Sequence, residues 1–136
     1  MILLDTSFIV AFYNIRDENH SRAKNLMPDI INGKYGHLYI SDYIFDETIT
    51  VIFIRLKNLI ETVRIGEYLR KSTKLLEVAS SDFEDAWKIF KKQKETDFSF
   101  TDCTSISLMK RMNIKNIATF DEDFLKVKEI NVIGVE

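Results

Sequence analysis

Residues 96–124 read TDFSFTDCTSISLMKRMNIKNIATFDEDF: a loop, a helix, a short strand and a second loop, with carboxylates at both junctions. Thr101 or a close neighbour caps the helix, placing Asp102 in its first turn, where the helix dipole favours a negative charge. Ile106 and Met109 follow Asp102 by four and seven residues, so all three share a face that points at a core. Asn113 tolerates the left-handed conformation that ends many helices. Ile117, Ala118 and Thr119 then form a buried strand that delivers Asp121 at its C-terminal end. A core-facing helix start and a strand end meet readily. Asp102 and Asp121 then share one pocket.

The other elements repeat this alternation. Ile2, Leu3 and Leu4 are a wholly apolar strand stopped by Asp5, the pattern of a strand covered on both faces in a parallel sheet. Thr6 and Ser7 open a helix carrying Phe8, Ile9, Ala11 and Phe12. Asp17 to His20 is a polar turn, with His20 at the surface start of a second helix. Its stripe is Ala23, Leu26, Met27, Ile30 and Ile31; Pro28 is expected to kink or shorten it, and Asn32-Gly33 closes it. A strand over residues 37–40 ends at Ser41-Asp42, a good helix start. Residues 44–56 are ambiguous, because Thr48 to Ile54 favours strand by propensity. Their length after a cap argues for a helix, with Ile44, Glu47, Val51 and Ile54 on one face. A shorter amphipathic helix over residues 60–69 and a third strand over residues 75–78 follow. Ser81 and Glu84 form the spacing of a capping box. That helix is expected to bury Phe83, Ala86, Trp87 and Phe90 and to turn Lys88, Lys91 and Lys92 to solvent. Val132 and Ile133 make an edge strand. The fold class is therefore α/β, a central mostly parallel sheet flanked by helices. Ligands of such sheets lie beyond the carboxyl ends of the strands, where Asp5 and Asp121 sit.

Composition narrows the class. At 136 residues the chain is expected to be one domain, residues 1–136, and 29% charged residues excludes a membrane bundle. The first residues have no basic segment ahead of a long apolar one, so a cytoplasmic location is expected. A net charge of −2 argues against a protein that coats nucleic acid non-specifically. The single cysteine, Cys103, falls inside a helix pattern and reads as core. With only two histidines in the chain as well, a His/Cys zinc site is disfavoured. Neither GxGxxG nor GxxxxGK[ST] occurs, and no histidine lies near a nucleophile elbow.

What remains is carboxylates: Asp5, Glu47, Asp102 and Asp121. Four such groups in one place repel and shift toward protonation unless a cation is bound. Hard oxygen donors without His or Cys select Mg²⁺ or Mn²⁺. These ions serve phosphodiester hydrolysis.

Asp5-Thr6-Ser7 after an apolar strand, Glu47 after Ser41-Asp42, Ser99-Phe100-Thr101-Asp102, and the run from Thr119 through Asp121 to Phe124 resemble a PIN domain. The likeness is greatest to the VapC-type toxins of prokaryotic toxin–antitoxin pairs and covers nearly the whole chain. It implies a three-layer fold and a Mg²⁺-dependent endoribonuclease, with Mn²⁺ able to substitute. Asp5, Glu47, Asp102 and Asp121 would be its acidic quartet, and Ser7 and Thr101 would orient ligands or phosphate. It also implies structured RNA as substrate, a homodimer, and a small cognate antitoxin. A catalytically silent PIN-like module and an RNA-processing nuclease outside a toxin pair are the rival readings. Haloacid-dehalogenase-like phosphatases also begin with a strand and Asp, but need a second Asp where this chain has Ser7.

Each acid also has a plainer role. Asp5 can cap the helix after it, and Asp102 can be a dipole-favoured first-turn residue. A one-residue error in helix phase exchanges Glu47 for Asp46, Asp123 competes with Asp121, and Asp97 reads as a solvated loop residue. Finally, residues 44–56 and the helix after them carry more apolar surface than a small sheet covers. Part of it is expected to pack on another chain, either a twin subunit or an antitoxin segment.

Overall fold

The computed structural model describes residues 1–135. Five strands, β1 (Ile2–Leu4), β2 (Leu38–Ser41), β3 (Lys74–Leu76), β4 (Asn116–Ala118) and β5 (Asn131–Ile133), pair in the order β3-β2-β1-β4-β5. All four pairings are parallel, with Ile2 opposite Leu38 and Leu4 opposite Ala118. Six helices flank the sheet: α1 (Thr6–Tyr13), α2 (His20–Ile31), α3 (Asp42–Leu56), α4 (Leu59–Ser72), α5 (Ser80–Lys91) and α6 (Phe100–Met112). The α/β reading holds. β1, the most apolar strand, is central and completely buried, as a run without polar alternation requires.

The order reverses between β1 and β4, since the chain lays β1 to β3 outward on one side and β4 to β5 on the other. Such a switch point leaves a crevice at the carboxyl edge. Asp5 follows β1 there, and Thr119 to Asp121 follow β4 beside it. The backbones are tied, Asp5 N–H to Ala118 O at 3.0 Å and Thr119 N–H to Ile133 O at 2.9 Å.

Helix α3 resolves the strand-like stretch. Ser41 Oγ accepts the Ile44 N–H at 3.0 Å, and this cap starts a helix of 15 residues despite its β-branched content. Its phase differs from the expected one: Ile44, Thr48 and Ile52 are buried, whereas Ile54 is 63% exposed. The i, i+4, i+8 row of 44, 48 and 52 faces the core. Glu47 stands at its margin. α2 runs past Pro28 to Ile31, closed by Asn32 N–H on Pro28 O at 2.9 Å.

Two sequence expectations for α5 are overturned. Its cap is Ala79, whose N–H is held by Asp82 Oδ2 at 2.9 Å; Ser81 and Glu84 form no box. The buried face is Asp82 and Ala86, not the aromatic one. Arg111 of α6 forks onto Asp82, Nε to Oδ1 and Nη2 to Oδ2, both at 2.8 Å, and holds that carboxyl below its usual range. Ser107 Oγ donates to Asp85 Oδ2 at 2.9 Å. These bonds turn the polar side of α5 onto α6. Phe83, Trp87 and Phe90 are consequently left 42%, 46% and 38% exposed.

Among the described residues no helix is long and apolar enough to cross a membrane.

Candidate active site

Asp5 is 3% exposed at the end of β1. Its backbone carbonyl starts α1, accepting Phe8 N–H and Ile9 N–H at 3.1 Å, but its side chain makes no cap bond. The plain capping role is thereby removed. Oδ2 instead accepts the Thr119 hydroxyl at 2.7 Å and the Ser7 hydroxyl at 3.0 Å. Oδ1 is buried with no hydrogen-bond partner. Burial pushes the Asp5 carboxyl above its usual range, against the lowering effect of these two hydroxyls, and the Glu47 charge adds to the rise.

Thr119 is the residue that sequence reading passed over. It is fully buried, and its Oγ1 also accepts the Asp121 N–H at 3.0 Å. One hydroxyl therefore positions two of the four acids. Ser7 Oγ likewise takes the Phe120 N–H at 3.1 Å, so it orients Asp5 and the β4 exit together. The only sequence sign was a hydroxyl directly after a strand of apolar residues.

Behind Thr119 stands Gly134, with φ +121; a Cβ there would lie 2.3 Å from the Thr119 carbonyl oxygen. That contact is with backbone and cannot be relieved by a rotamer change. Gly134→Ala is expected to cost roughly 2 kcal/mol or more, through both the clash and the glycine-type φ. It should depress any activity that depends on Asp5. A parent-like melting curve for this variant would contradict the tight β4–β5 exit.

Asp102 sits at the third position of α6. The cap is Ser99: its Oγ accepts the Asp102 N–H at 3.1 Å, and Asp102 Oδ2 accepts the Ser99 N–H at 2.9 Å. This is two residues before the Thr101 expectation. At the far end Asn113 is left-handed, as read from sequence, with φ 56. Burial, then Asp5, pushes the Asp102 carboxyl up to about 7; the Ser99 bonds oppose this and Asp121 adds to it. Cys103 beside it is buried, and that burial pushes its thiol up to about 11, an inert core residue.

Asp121 opens a 3₁₀ turn over Glu122–Lys126, its Oδ1 taking the Asp123 N–H at 2.9 Å. Asp123 is engaged elsewhere, with Oδ2 on the Asp97 N–H at 2.8 Å and Oδ1 on Lys126 at 3.2 Å. Asp97 itself is exposed. Asp121 and Glu47 line the crevice, while Asp46 is exposed.

All four acids line one cleft of about 690 Å³. Ser7 and Ser99 contribute hydroxyls, Thr101 does not line it, and Arg16 and Arg55 bring positive charge. Arg55 pairs with Asp17 at 3.7 Å. Among the described residues no three Asp, Glu, His or Cys side chains close into a metal cage. Mg²⁺ requires none, because it keeps several waters and takes one or two carboxylates plus substrate phosphate oxygens. A buried bare oxygen on Asp5 and an all-oxygen donor set fit that ion.

The family model described as the PIN domain matches residues 2–130. The chain belongs to the PIN domain family. Among curated proteins, the 23S rRNA-specific endonuclease VapC20 of Mycobacterium tuberculosis is 30% identical over 91% of this chain and 92% of its own. A VapC ribonuclease of Archaeoglobus fulgidus is 27% identical over 90% of this chain and 78% of its own. The crystal structure of VapC20, described as a sarcin-ricin loop cleaving toxin, superposes with a TM-score of 0.82 at 27% identity, covering 96% and 97% of the two chains. VapBC2 of Rickettsia felis, solved on a fragment of promoter DNA, has the same fold, with a TM-score of 0.71 at 15% identity over 97% of each chain. This PIN domain matches its relatives along almost its entire length, and its four acids occupy the switch-point cleft.

Proposed function

We propose that this PIN domain is a metal-dependent endoribonuclease, the toxin of a toxin–antitoxin pair, with Asp5, Glu47, Asp102 and Asp121 as its catalytic acids. The observation that carries this is the buried, bare Asp5 Oδ1 in a cleft where burial, with neighbouring acids adding to it, raises the proton affinity of Asp5 and Asp102. Asp5, Glu47, Asp102 and Asp121 would hold Mg²⁺, with Mn²⁺ able to substitute, and the ion would polarise a phosphoryl oxygen and activate a water for in-line attack. Thr119 and Ser7 fix the Asp5 rotamer, so its free oxygen is presented without reorganisation. The Ser99 N–H fixes Asp102 in the same way. Arg16 and Arg55 are the cations that admit a phosphate into an otherwise acidic cleft.

The likeness to VapC20 makes ribosomal RNA the first substrate to try. Cleavage is expected with Mg²⁺ or Mn²⁺ and is expected to vanish in excess chelator. Undiminished cleavage in chelator would end the metal-dependent reading.

The antitoxin half of the proposal is supported by a second surface. α3 and α4 leave Phe53, Ile54, Leu59 and Val63 exposed around a groove of about 350 Å³. Relatives solved as VapBC pairs make an amphipathic antitoxin helix the occupant to test. Ile54→Glu is expected to weaken capture of the co-expressed partner at least about tenfold without slowing RNA cleavage. Capture at parental strength would move the antitoxin to another face, and sedimentation of the isolated chain reads whether a twin subunit covers this one.

A further inference from the structure

Asp102 and Asp121 reach the cleft from different elements, the first turn of α6 and the turn that follows β4. The connection ahead of α6, residues 92–99, is irregular and mostly exposed, yet it is bonded closely at both ends. Gln93 closes it on itself. Its amide pairs with both backbone groups of Phe98, Oε1 accepting the N–H at 2.7 Å and Nε2 donating to the carbonyl at 3.0 Å. Oε1 also accepts the Thr96 hydroxyl at 2.8 Å. The closed segment is then fastened to the 3₁₀ turn that Asp121 opens. Asp123 Oδ2 accepts the Asp97 N–H at 2.8 Å, and Lys126 Nζ donates to the Glu95 carbonyl at 2.6 Å and to Asp123 Oδ1 at 3.2 Å. The buried Phe98 and Phe124 rings meet at 4.9 Å and join the same two segments.

We propose that Gln93, Asp123 and Lys126 are positioning residues that hold Asp102 and Asp121 at a cation-binding separation by clamping residues 93–98 onto the 3₁₀ turn. This rests on the metal-dependent reading. Contacts run from one acid to the other without a gap. Asp121 holds the Asp123 N–H, Asp123 holds the Asp97 N–H, and Phe98 leads directly to Ser99, whose N–H is held by Asp102. Carboxylates that share a site repel, and an irregular connection with no clamp would yield to that repulsion. The clamp also accounts for Asp123. Both of its oxygens are engaged in it, and it does not line the cleft, so it serves the site through the loop.

The probe is Mn²⁺ alone, titrated calorimetrically into metal-free protein. Residues bonded to a metal ligand contribute about 10- to 100-fold in metal affinity; these stand one step further back, so Gln93→Leu and Asp123→Ala are each expected to weaken Mn²⁺ binding about tenfold. Asp123→Asn keeps an oxygen for the Asp97 N–H and should stay within about threefold of the parent. Because both act through one segment, the double variant of Gln93→Leu and Asp123→Ala should fall well short of the roughly hundredfold loss of independent sites. Lys126→Met tests the sign. Removing a cation near an acidic cleft strengthens Mn²⁺ binding by charge alone. Loss of the Glu95 tether weakens it instead, by about threefold on the same scale. In cleavage, the Mg²⁺ concentration giving half-maximal rate should rise in the same order, while kcat at saturating Mg²⁺ returns close to the parent's. Affinity for a short oligoribonucleotide in chelator, read by anisotropy, should be unchanged. Melts in chelator show whether a variant is folded, and Lys126→Met, at an exposed side chain, decides the matter if Gln93→Leu is not. Folded Gln93→Leu with parental Mn²⁺ affinity, or Lys126→Met that binds Mn²⁺ more tightly, overturns the clamp. Asp123→Asn as weak as Asp123→Ala makes Asp123 a ligand and also overturns it. An equal fall in oligoribonucleotide affinity assigns the loop to RNA, with the same consequence. A parent that takes up no Mn²⁺ in the calorimeter removes the metal-dependent reading and the clamp together.

Discussion

Asp5→Asn is expected to reduce RNA cleavage by at least about a hundredfold while leaving the metal-free protein at least as stable as the parent. The activity loss follows from the two oxygens of Asp5. Oδ2 is committed to Thr119 and Ser7, and Oδ1 is bare and buried. In the variant the amide oxygen takes the two hydroxyls, and the NH₂ group then occupies the bare position. An anionic oxygen meant for a cation is thus replaced by a hydrogen-bond donor. Charge stabilisation by a bound ion contributes several kcal/mol to such reactions, and each 1.36 kcal/mol is about tenfold in rate. The stability half follows from burial, which already pushes the Asp5 carboxyl toward its neutral form. An uncharged isostere removes that penalty. Asp97→Asn is the control, since its side chain is exposed and only its N–H is engaged, on Asp123. Matching losses in both variants would mean that Asp5 is not special to the chemistry. A variant of Asp5 that is inactive because it is unfolded would show instead in its melt.

The fold was legible wherever a local signal and burial agreed. The apolar run of Ile2 to Leu4 stopped at a carboxylate, and strand and site begin there. Residues 44–56 were ambiguous by propensity, and the cap on Ser41 decided them. Two kinds of information were absent. The first is which face of an amphipathic helix finds the core. α5 has Phe83, Trp87 and Phe90 on one side, and hydrophobicity alone buries them. Arg111, twenty-nine residues away, draws Asp82 inward instead. The second is which of several adjacent caps wins. Ser80, Ser81 and Asp82 can each begin or support a helix, and Asp82 is selected because its carboxylate also serves Arg111. The meeting of Asp5, Glu47, Asp102 and Asp121 in one cleft was legible because strand ends and helix starts are few. Thr119 was not. A threonine at a strand end is ordinary, and its role exists only once β1 and β4 lie side by side.

The pH dependence of Asp102→Asn separates a convergent acid site from four unrelated acids. The folded Asp102 carboxyl is raised to about 7 from its ordinary 3.8, chiefly by burial and then by Asp5. Between about pH 4 and 7 the folded state therefore holds more protons than the unfolded one. Linkage makes stability fall as pH rises through that window. The stability contributed by the protonated group is fully present below about pH 4 and lost above about 7. Three units at 1.36 kcal/mol each set an upper limit of about 4 kcal/mol, less whatever solvent at the open cleft recovers. Asn keeps an oxygen for the Ser99 N–H, so the cap survives the substitution. In chelator at pH 8 the variant is expected to melt above the parent. At about pH 3.5, where Asp102 is largely neutral in the folded and the unfolded state alike, the two curves should nearly coincide. The variant should retain part of the slope, because Asp5 is also raised. Mg²⁺ at pH 8 should then lift the parent toward or past the variant, by binding the folded state preferentially, and lift the variant far less. Thermal melts at the two pH values, with chelator and with Mg²⁺, measure all four quantities. A variant that melts well below the parent at pH 8 and gains equally from Mg²⁺ would make Asp102 a structural cap and put the cation elsewhere.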